Sequence, residues 1–142
     1  MAIEYLADTN VLSETTKPAP NAGVLAWLAL QAPIRLAAVS LYELARGIEH
    51  VPQGRKRRFL DGWLALLLAG NAAVLPFDDE AALAAARIEK EARRRGRPIG
   101  DRDLFILATA KVHGLRVATH NVNHFVGHGV AVYDPFENLH LI

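Results

Sequence analysis

The sequence predicts an α/β fold, a mainly parallel sheet of about five strands with helices on both faces, and three observations predict it. Short apolar segments rich in Val, Ile and Tyr recur along the chain at strand length. Stretches with apolar residues at helical spacing separate them. Turn-forming residues, among them Pro18-Ala19-Pro20, Pro52-Gln53-Gly54 and Gly114, stand at the junctions. Strand and helix in alternation need crossover connections, which build parallel sheets covered by helices.

The strands are expected at Ile3–Ala7, Arg35–Val39, Ala72–Leu75, Arg116–Thr119 and Val130–Tyr133. Between them, Ala22–Gln31 carries apolar residues at helical spacing, and Leu41–His50 reads as a helix following Ser40. Phe59–Ala69 is nearly all apolar, so Leu64–Leu68, with Trp27 and Trp63, belong to the core or to a subunit interface. Ala81–Arg95 pairs Glu89 with Arg93 and Glu91 with Arg95 one turn apart, which supports a helix. Arg93–Pro98 breaks this helix from the next, and Leu104–His113 runs up to Gly114, a good helix stop. With no internal repeat and no low-complexity linker, residues 1–142 read as a single domain.

Composition narrows the function classes. Hydrophobic residues make up 51% of the chain, ample for one core, and the net charge of +1 excludes a strongly basic coat. Any nucleic-acid contact must therefore come from a local patch. The absence of cysteine excludes disulfides, thiolate zinc sites and cysteine nucleophiles. The opening segment lacks the basic region of a signal peptide and meets an acid early. The longest apolar run, Trp63–Ala69, is far below the roughly 20 residues of a membrane span. A cytoplasmic protein without membrane association is the expectation. Neither of the Gly-rich phosphate loops, G-x-x-x-x-G-K-[ST] and G-x-G-x-x-G, occurs.

Three acids share one structural address. Asp8 directly follows the first strand, Glu43 lies one turn into the helix after the second, and Asp103 opens the helix containing Leu104–Ala108. In a parallel α/β sheet the carboxyl ends of the strands lie on one edge, where ligands bind. A helix that starts near that edge adds its first turn to the same cluster, so carboxylates far apart in sequence can converge. Each acid also has a purely structural reading. Asp8 suits the N-cap of the next helix. Ser40 and Glu43 match a capping box. Asp101 and Asp103 both suit a helix N-terminus, where negative charge is favoured by roughly 0.3–1 kcal/mol, although only one is needed as the cap. The combination says more than its parts. Gathered carboxylates repel, and their pKa values rise unless a cation sits among them. Oxygen ligands with neither cysteine nor a histidine cage favour Mg²⁺ or Mn²⁺ over zinc. Such an ion activates water and neutralises charge developing on a phosphodiester.

The segments around these acids carry further pattern. Leu6–Glu14 reads Leu-Ala-Asp-Thr-Asn-Val-Leu-Ser-Glu, and Ser40–Ile48 reads Ser-Leu-Tyr-Glu-Leu-Ala-Arg-Gly-Ile. Ile99–Ala110 reads Ile-Gly-Asp-Arg-Asp-Leu-Phe-Ile-Leu-Ala-Thr-Ala, followed by Gly114-Leu115 and Ala118-Thr119-His120-Asn121. In this order, with the closing Tyr133-Asp134-Pro135-Phe136, the chain resembles the PIN-domain family from end to end, most closely its VapC-type toxin branch. The resemblance implies a PIN-like (Rossmann-like) three-layer fold and an endoribonuclease that cleaves single-stranded RNA using Mg²⁺ (or Mn²⁺). It also implies a homodimer held inactive by a small antitoxin protein. Asp8, Glu43 and Asp103 match the family's catalytic and metal-binding acids, with Asp101, Thr119 and Asn121 in support. Two departures stand out. Asn121 occupies the position where the family often has a fourth acid, and Asp101 is an extra acid beside Asp103. Leu107, where alanine is usual, is a core change.

His120, His124 and His128 recur at four-residue intervals, the spacing of a helical zinc site. The glutamate of a metalloprotease motif is missing and Gly127 and Gly129 flank the third histidine, so a loop with incidental histidines is expected. Arg55-Lys56-Arg57-Arg58 and Arg93-Arg94-Arg95-Gly96-Arg97 are solvated helix ends unless the substrate is a phosphodiester, in which case they suit its backbone. Arg46 and Arg102 stand near Glu43 and Asp103 in sequence and are the better-placed RNA contacts. Two other functions share parts of the pattern. A haloacid-dehalogenase-type phosphatase also has an aspartate after its first strand, but it needs an acid at the position of Asn10 and a late lysine, whereas Lys111 lies mid-helix. A non-catalytic α/β binding module is the second alternative.

Overall fold

The computed structural model describes residues 2–70 and 72–142. Its strands are β1 (Tyr5–Ala7), β2 (Ile34–Ala37), β3 (Ala72–Leu75), β4 (Arg116–Ala118), β5 (Val132–Asp134) and β6 (Leu139–Leu141). Its helices are α1 (Thr9–Ser13), α2 (Ala22–Ala29), α3 (Ala38–Glu49), α4 (Arg55–Ala69), α5 (Asp79–Arg94), α6 (Asp101–Val112) and α7 (Val122–Phe125). The strands form one sheet in the order β3-β2-β1-β4-β5-β6. All neighbours pair in parallel except β5 and β6. Among the described residues no helix is long and apolar enough to cross a membrane.

Alternation along the strands separates two cores. Leu6 and Ala37 face one side, where they meet Ala84, Ala85 and Ile88 of α5 and Leu104, Leu107 and Ala108 of α6. Their neighbours Ala7 and Leu36 face the other side and meet Val11 and Leu12 of α1, Val24 and Leu28 of α2 and Leu44 of α3. Period-two alternation at both central strands is what a sheet buried on both faces requires. This is the three-layer arrangement expected. Trp27 and Trp63 pack against the second core, and the Trp63 indole N–H donates to Thr15 Oγ1 at 2.9 Å.

Helix ends follow the chemistry of their residues. Asp78 caps α5 by accepting the Ala81 N–H at 3.0 Å, with Asp79 and Glu80 in the first turn and Arg93 and Arg94 in the last. Gly96, at φ +69°, closes it: its N–H donates to Arg93 O at 3.0 Å, and the Arg97 N–H donates to Ala92 O at 2.8 Å. Gly114 ends α6 in the same manner at φ +66°.

Several boundaries differ from expectation. β2 ends at Ala37, and Val39 and Ser40, read as strand and cap, lie in the first turn of α3. Burial of Ser40, Leu44 and Ile48 along one helix face overrides the strand preference of Val39. α4 begins at Arg55 instead of Phe59, and α6 at Asp101 instead of Leu104. β6, α1 and α7 were not anticipated. β6 is added by a return through Asn138, which takes φ 51°.

Candidate active site

The chain winds outward from β1 through β2 to β3, then returns to the other side of β1 as β4. The crevice beyond the carboxyl ends of β1 and β4 is therefore the switch point of the sheet, where ligands bind in open α/β folds. Ala7 pairs with Ala118, so the next residues, Asp8 and Thr119, come side by side. The Asp8 N–H continues the ladder to Ala118 O at 2.9 Å.

Asp8 is 5% exposed and Thr119 is fully buried. The Thr119 hydroxyl donates to Asp8 Oδ2 at 2.8 Å, and the Asn10 amide donates to the same oxygen at 3.1 Å. Asp8 Oδ1 accepts the Thr9 N–H at 2.8 Å, so Asp8 does cap α1. Capping uses only one of its oxygens. Thr119 Oγ1 also accepts from the Asn121 N–H at 3.0 Å, and Asn10 Oδ1 accepts the His120 N–H at 3.0 Å. Asn10 thus ties the loop after β4 to the end of β1, a role its place beside Asp8 in the Asp-Thr-Asn motif hinted at.

Helices α3 and α6 bring the other acids to the same crevice. The capping box does not form: α3 starts at Ala38, Ala37 is its N-cap without a side-chain bond, and Ser40 is buried within the helix. Glu43 is instead turned outward, where its Oε2 accepts from Arg102 at 3.1 Å. Neither Asp101 nor Asp103 caps α6, since Gly100 is its N-cap. Asp103 Oδ2 lies 3.1 Å from His124 Nδ1. A cleft of about 490 Å³ is lined by Asp8, Thr9, Glu43, Gly100, Asp101, Arg102, Asp103, Asn121 and His124. His124, expected to be incidental in a loop, sits on α7 at the cleft wall. Its four-residue spacing from His120 and His128 was the available signal, but the three do not gather: His120 Nδ1 lies 3.1 Å from Asp134 Oδ2, and His128 is buried elsewhere.

The acids feel one another. Burial pushes the Asp8 carboxyl above its usual range, against the hydrogen bonds from Thr119 and Thr9, and the charge of Asp103 adds to the rise. Burial likewise raises Glu43, opposed by its bond to Arg102, while Asp8 and Asp103 push it further up. A cation among the three would relieve this repulsion. The donor set is carboxylate and amide oxygen, which fits Mg²⁺ or Mn²⁺ in kind. As the side chains stand, no three His, Asp or Glu groups among the described residues are gathered closely enough to hold an ion. Glu43 and Asp103 each turn one oxygen to Arg102 and His124, so holding an ion requires both side chains to shift.

The basic residues divide. Arg102 is at the cleft, but Arg46 lines neither it nor the adjoining groove. Arg57, expected to contact RNA, is buried, with its guanidinium on Glu49 at 3.1 Å, Asp61 at 3.2 Å and the Val51 carbonyl at 3.1 Å. It ties the start of α4 to the end of α3. Arg55 and Arg58 are exposed outside the cleft, and Lys56 lines an apolar groove of about 700 Å³ that shares Thr9, Glu43 and Arg102 with it. The phosphatase alternative does not fit: Asn10 is a donor to Asp8, and Lys111 lines a cavity that does not include the acids.

A parallel sheet with a buried aspartate at its switch point and two helix-borne acids beside it has the architecture of the PIN fold. The PIN-domain family model matches residues 5–125, and the chain belongs to that family. It is 37% identical over 139 residues to Toxin FitB of Neisseria gonorrhoeae, covering 94% of this chain and 99% of that one. It is 38% identical over 136 residues to VapC ribonuclease Y4jK of Sinorhizobium fredii, covering 92% and 96%. The solved structure of FitAB bound to an IR36 DNA fragment superposes with a TM-score of 0.84 at 36% identity, covering 93% of this chain and 95% of that one.

Proposed function

We propose that this chain is the toxin of a toxin–antitoxin pair, a Mg²⁺- or Mn²⁺-dependent endoribonuclease that hydrolyses RNA phosphodiesters at the cleft of Asp8, Glu43 and Asp103. The observation that carries this reading is the convergence of three carboxylates, from β1, α3 and α6, on the switch-point cleft. The relatives named a toxin and a VapC ribonuclease, each aligned over nearly the whole chain, support it.

Asp8, Glu43 and Asp103 would hold the ion, with Asp101 and Asn121 beside them. When bound, it supplies a water activated for attack and positive charge against the phosphate. The chain's own residues do the rest. Thr119 and Asn10 fix the Asp8 carboxylate so that it needs no reorganisation during the reaction. Arg102, freed from Glu43, offers its guanidinium to a phosphate oxygen at the cleft mouth. Asn121 brings no charge, so Asp8, Glu43 and Asp103 would balance one ion and leave little charge to hold a second. Two tight sites in a Mn²⁺ titration by calorimetry would overturn the one-ion part and assign the missing charge to Asp101.

The apolar groove running from the cleft past Leu44, Ile48 and Trp63 supports a small antitoxin partner that lies over the site and presents an arginine to the acids. Exposed Leu66 and Leu68 on α4 support a homodimer. The protein acts in the cytoplasm as one nuclease domain spanning residues 1–142.

The test is cleavage of single-stranded RNA by the purified protein. Cutting with Mg²⁺ or Mn²⁺ that stops with chelator, and is lost in Asp103→Asn with the fold intact, is the expected result. Full activity in Asp103→Asn would remove Asp103 from the site and make Asp101 the residue to test. Binding without cutting under all metal conditions would favour a non-catalytic module.

A further inference from the structure

The cleft of the three acids does not end at α7. Gly100, Asp103 and His124 also line a second cavity of about 380 Å³, which continues past Arg97 to His128. His128 in turn lines a third cavity of about 490 Å³, whose walls include Arg87 of α5, Arg95 just past its end and Lys111 of α6. Neighbouring cavities share lining residues, so the three form a row leading away from the acids, a trough divided at the buried His128. Each has a volume within the roughly 300–1,000 Å³ typical of small-ligand sites, a scale that suits nucleotide-sized occupants.

The trough is positive along its outer length. Glu91, the carboxylate on the third cavity's wall, is bonded to Arg94 and shares its charge with Arg95, which leaves Arg87 and Lys111 unbalanced. Among the described residues, Arg87 and Lys111 make no ion pair or side-chain hydrogen bond. Arg97 is fixed by the reversal that ends α5, and its guanidinium donates to the Val126 carbonyl at 3.1 Å. Two glycines with positive φ let the loop lie against these cations. A Cβ on Gly127 (φ +88°) would collide with the Arg97 guanidinium, and one on Gly129 (φ +81°) would meet Lys111 Nζ at 3.4 Å. His128, 7% exposed with Nδ1 unpartnered among the described residues, forms the wall between the two basic cavities. Burial holds its imidazole below the ordinary value, and Arg97 and Arg95 depress it further, which registers the positive potential of the trough.

We propose that this trough is the track for the RNA strand on one side of the scissile bond, with Arg97, Arg95, Arg87 and Lys111 meeting successive backbone phosphates. The inference rests on the ribonuclease reading and adds to it where the substrate lies. It also relocates the contacts expected of Arg55–Arg58, one of which is consumed in holding α4.

The experiment is binding of a fluorescently labelled single-stranded RNA oligonucleotide to the full chain, by anisotropy in chelator across a salt series. Each phosphate contact on a single strand contributes about −0.7 to the slope of log K against log salt. Arg87→Ala/Arg95→Ala should therefore flatten the slope by about 1.4, and Lys111→Ala by about half of that. The matched control Lys90→Ala/Arg93→Ala removes the same charge from the same helix outside the trough and should leave the slope nearly unchanged. Circular dichroism melts identify any variant that fails to fold, and Arg87→Gln/Arg95→Gln, which keeps most of the side-chain length, replaces it. Equal slopes for the trough and control pairs overturn the track. A slope change on duplex DNA but not on single-stranded RNA overturns it in favour of a duplex. If the unmodified protein neither binds nor cuts single-stranded RNA, the ribonuclease reading itself falls. If it does both and the trough variants match it, only the track falls.

Discussion

Asp8 stands at the end of a strand, 5% exposed, with its oxygens taken by Thr119, Thr9 and Asn10. Glu43 and Asp103 stand on helices, and their side chains are 20% and 30% exposed. Each of these leans on one partner that is itself about half in solvent, Arg102 at 52% and His124 at 57%. The difference is one of support. Two adjacent strands hold Asp8 through register, so its geometry is built with the sheet. The helix-borne acids are held by long side chains whose exposed bonds are individually weak. One end of the cleft is therefore preformed, and the other is held by Arg102 and His124 until an ion, a substrate or a partner takes their place.

The largest expected effect falls at the preformed end. Asp8→Asn should reduce RNA cleavage to background while the melting curve stays cooperative; substantial residual cutting would mean the rigid end is not the reacting end. Thr119→Val tests whether rigidity itself matters. It removes the donor to Asp8 Oδ2 and leaves the Asn121 N–H without its acceptor. Loss of such an outer partner typically lowers metal affinity or activity 10–100-fold, and a buried group left unpaired costs about 1–3 kcal/mol. Thr119→Ser keeps the hydroxyl and should recover most of the activity, an outcome that a purely steric role for Thr119 would not give.

The two ends were also unequally legible in the sequence. Asp8 could be assigned because a short apolar strand followed by a polar triplet fixes where the sheet stops. Thr119 was marked only by the family resemblance, and the strand read as Arg116–Thr119 is one residue longer than the observed β4. Glu43 was ambiguous because Ser40 and Glu43 satisfy a local capping rule. Only tertiary packing of Leu44 and Ile48 decides that the helix starts earlier and frees the glutamate. Asp103 was assigned correctly to the start of a helix, but its contact with His124 joins residues 21 positions apart through a four-residue helix. So short an element carries too little periodicity to be seen in sequence. The fate of Arg57 was hidden for the same reason: burial by Glu49 and Asp61 depends on how α3 meets α4.

A thermal measurement sharpens the contrast further. The folded-state pKa of Asp8 is raised, so at neutral pH its charge costs the folded state stability, and that cost disappears as pH falls through the raised value toward the ordinary carboxylate range. The melting temperature of Asp8→Asn relative to the unmodified protein should therefore be highest at neutral pH and fall on acidification, on top of a pH-independent cost of turning its amide N–H toward a donor such as the Thr9 N–H. For a chain of this size each kcal/mol reads as about 2–4 °C. Mn²⁺ should lower that difference too, by raising the melting temperature of the unmodified protein alone. A difference that stays unchanged at mildly acid pH would mean that the carboxylate carries no electrostatic strain.

The smallest effect belongs to the adjustable end. Arg102→Ala deletes the cation that occupies Glu43, and an exposed pair of this kind is worth only about 0.2–1 kcal/mol. Stability should therefore hardly change. Mn²⁺ affinity should rise by up to about five-fold, the equivalent of that energy, because Glu43 no longer has to leave a partner before it can serve the ion. Cleavage need not rise with it, since the same guanidinium is proposed to meet a phosphate oxygen, and the two effects separate in a titration that measures ion binding without RNA. If Arg102→Ala instead weakens Mn²⁺ binding, then Arg102 positions Glu43 as Thr119 positions Asp8. Both ends of the cleft would then be preformed, and the contrast between them would reduce to one of exposure alone.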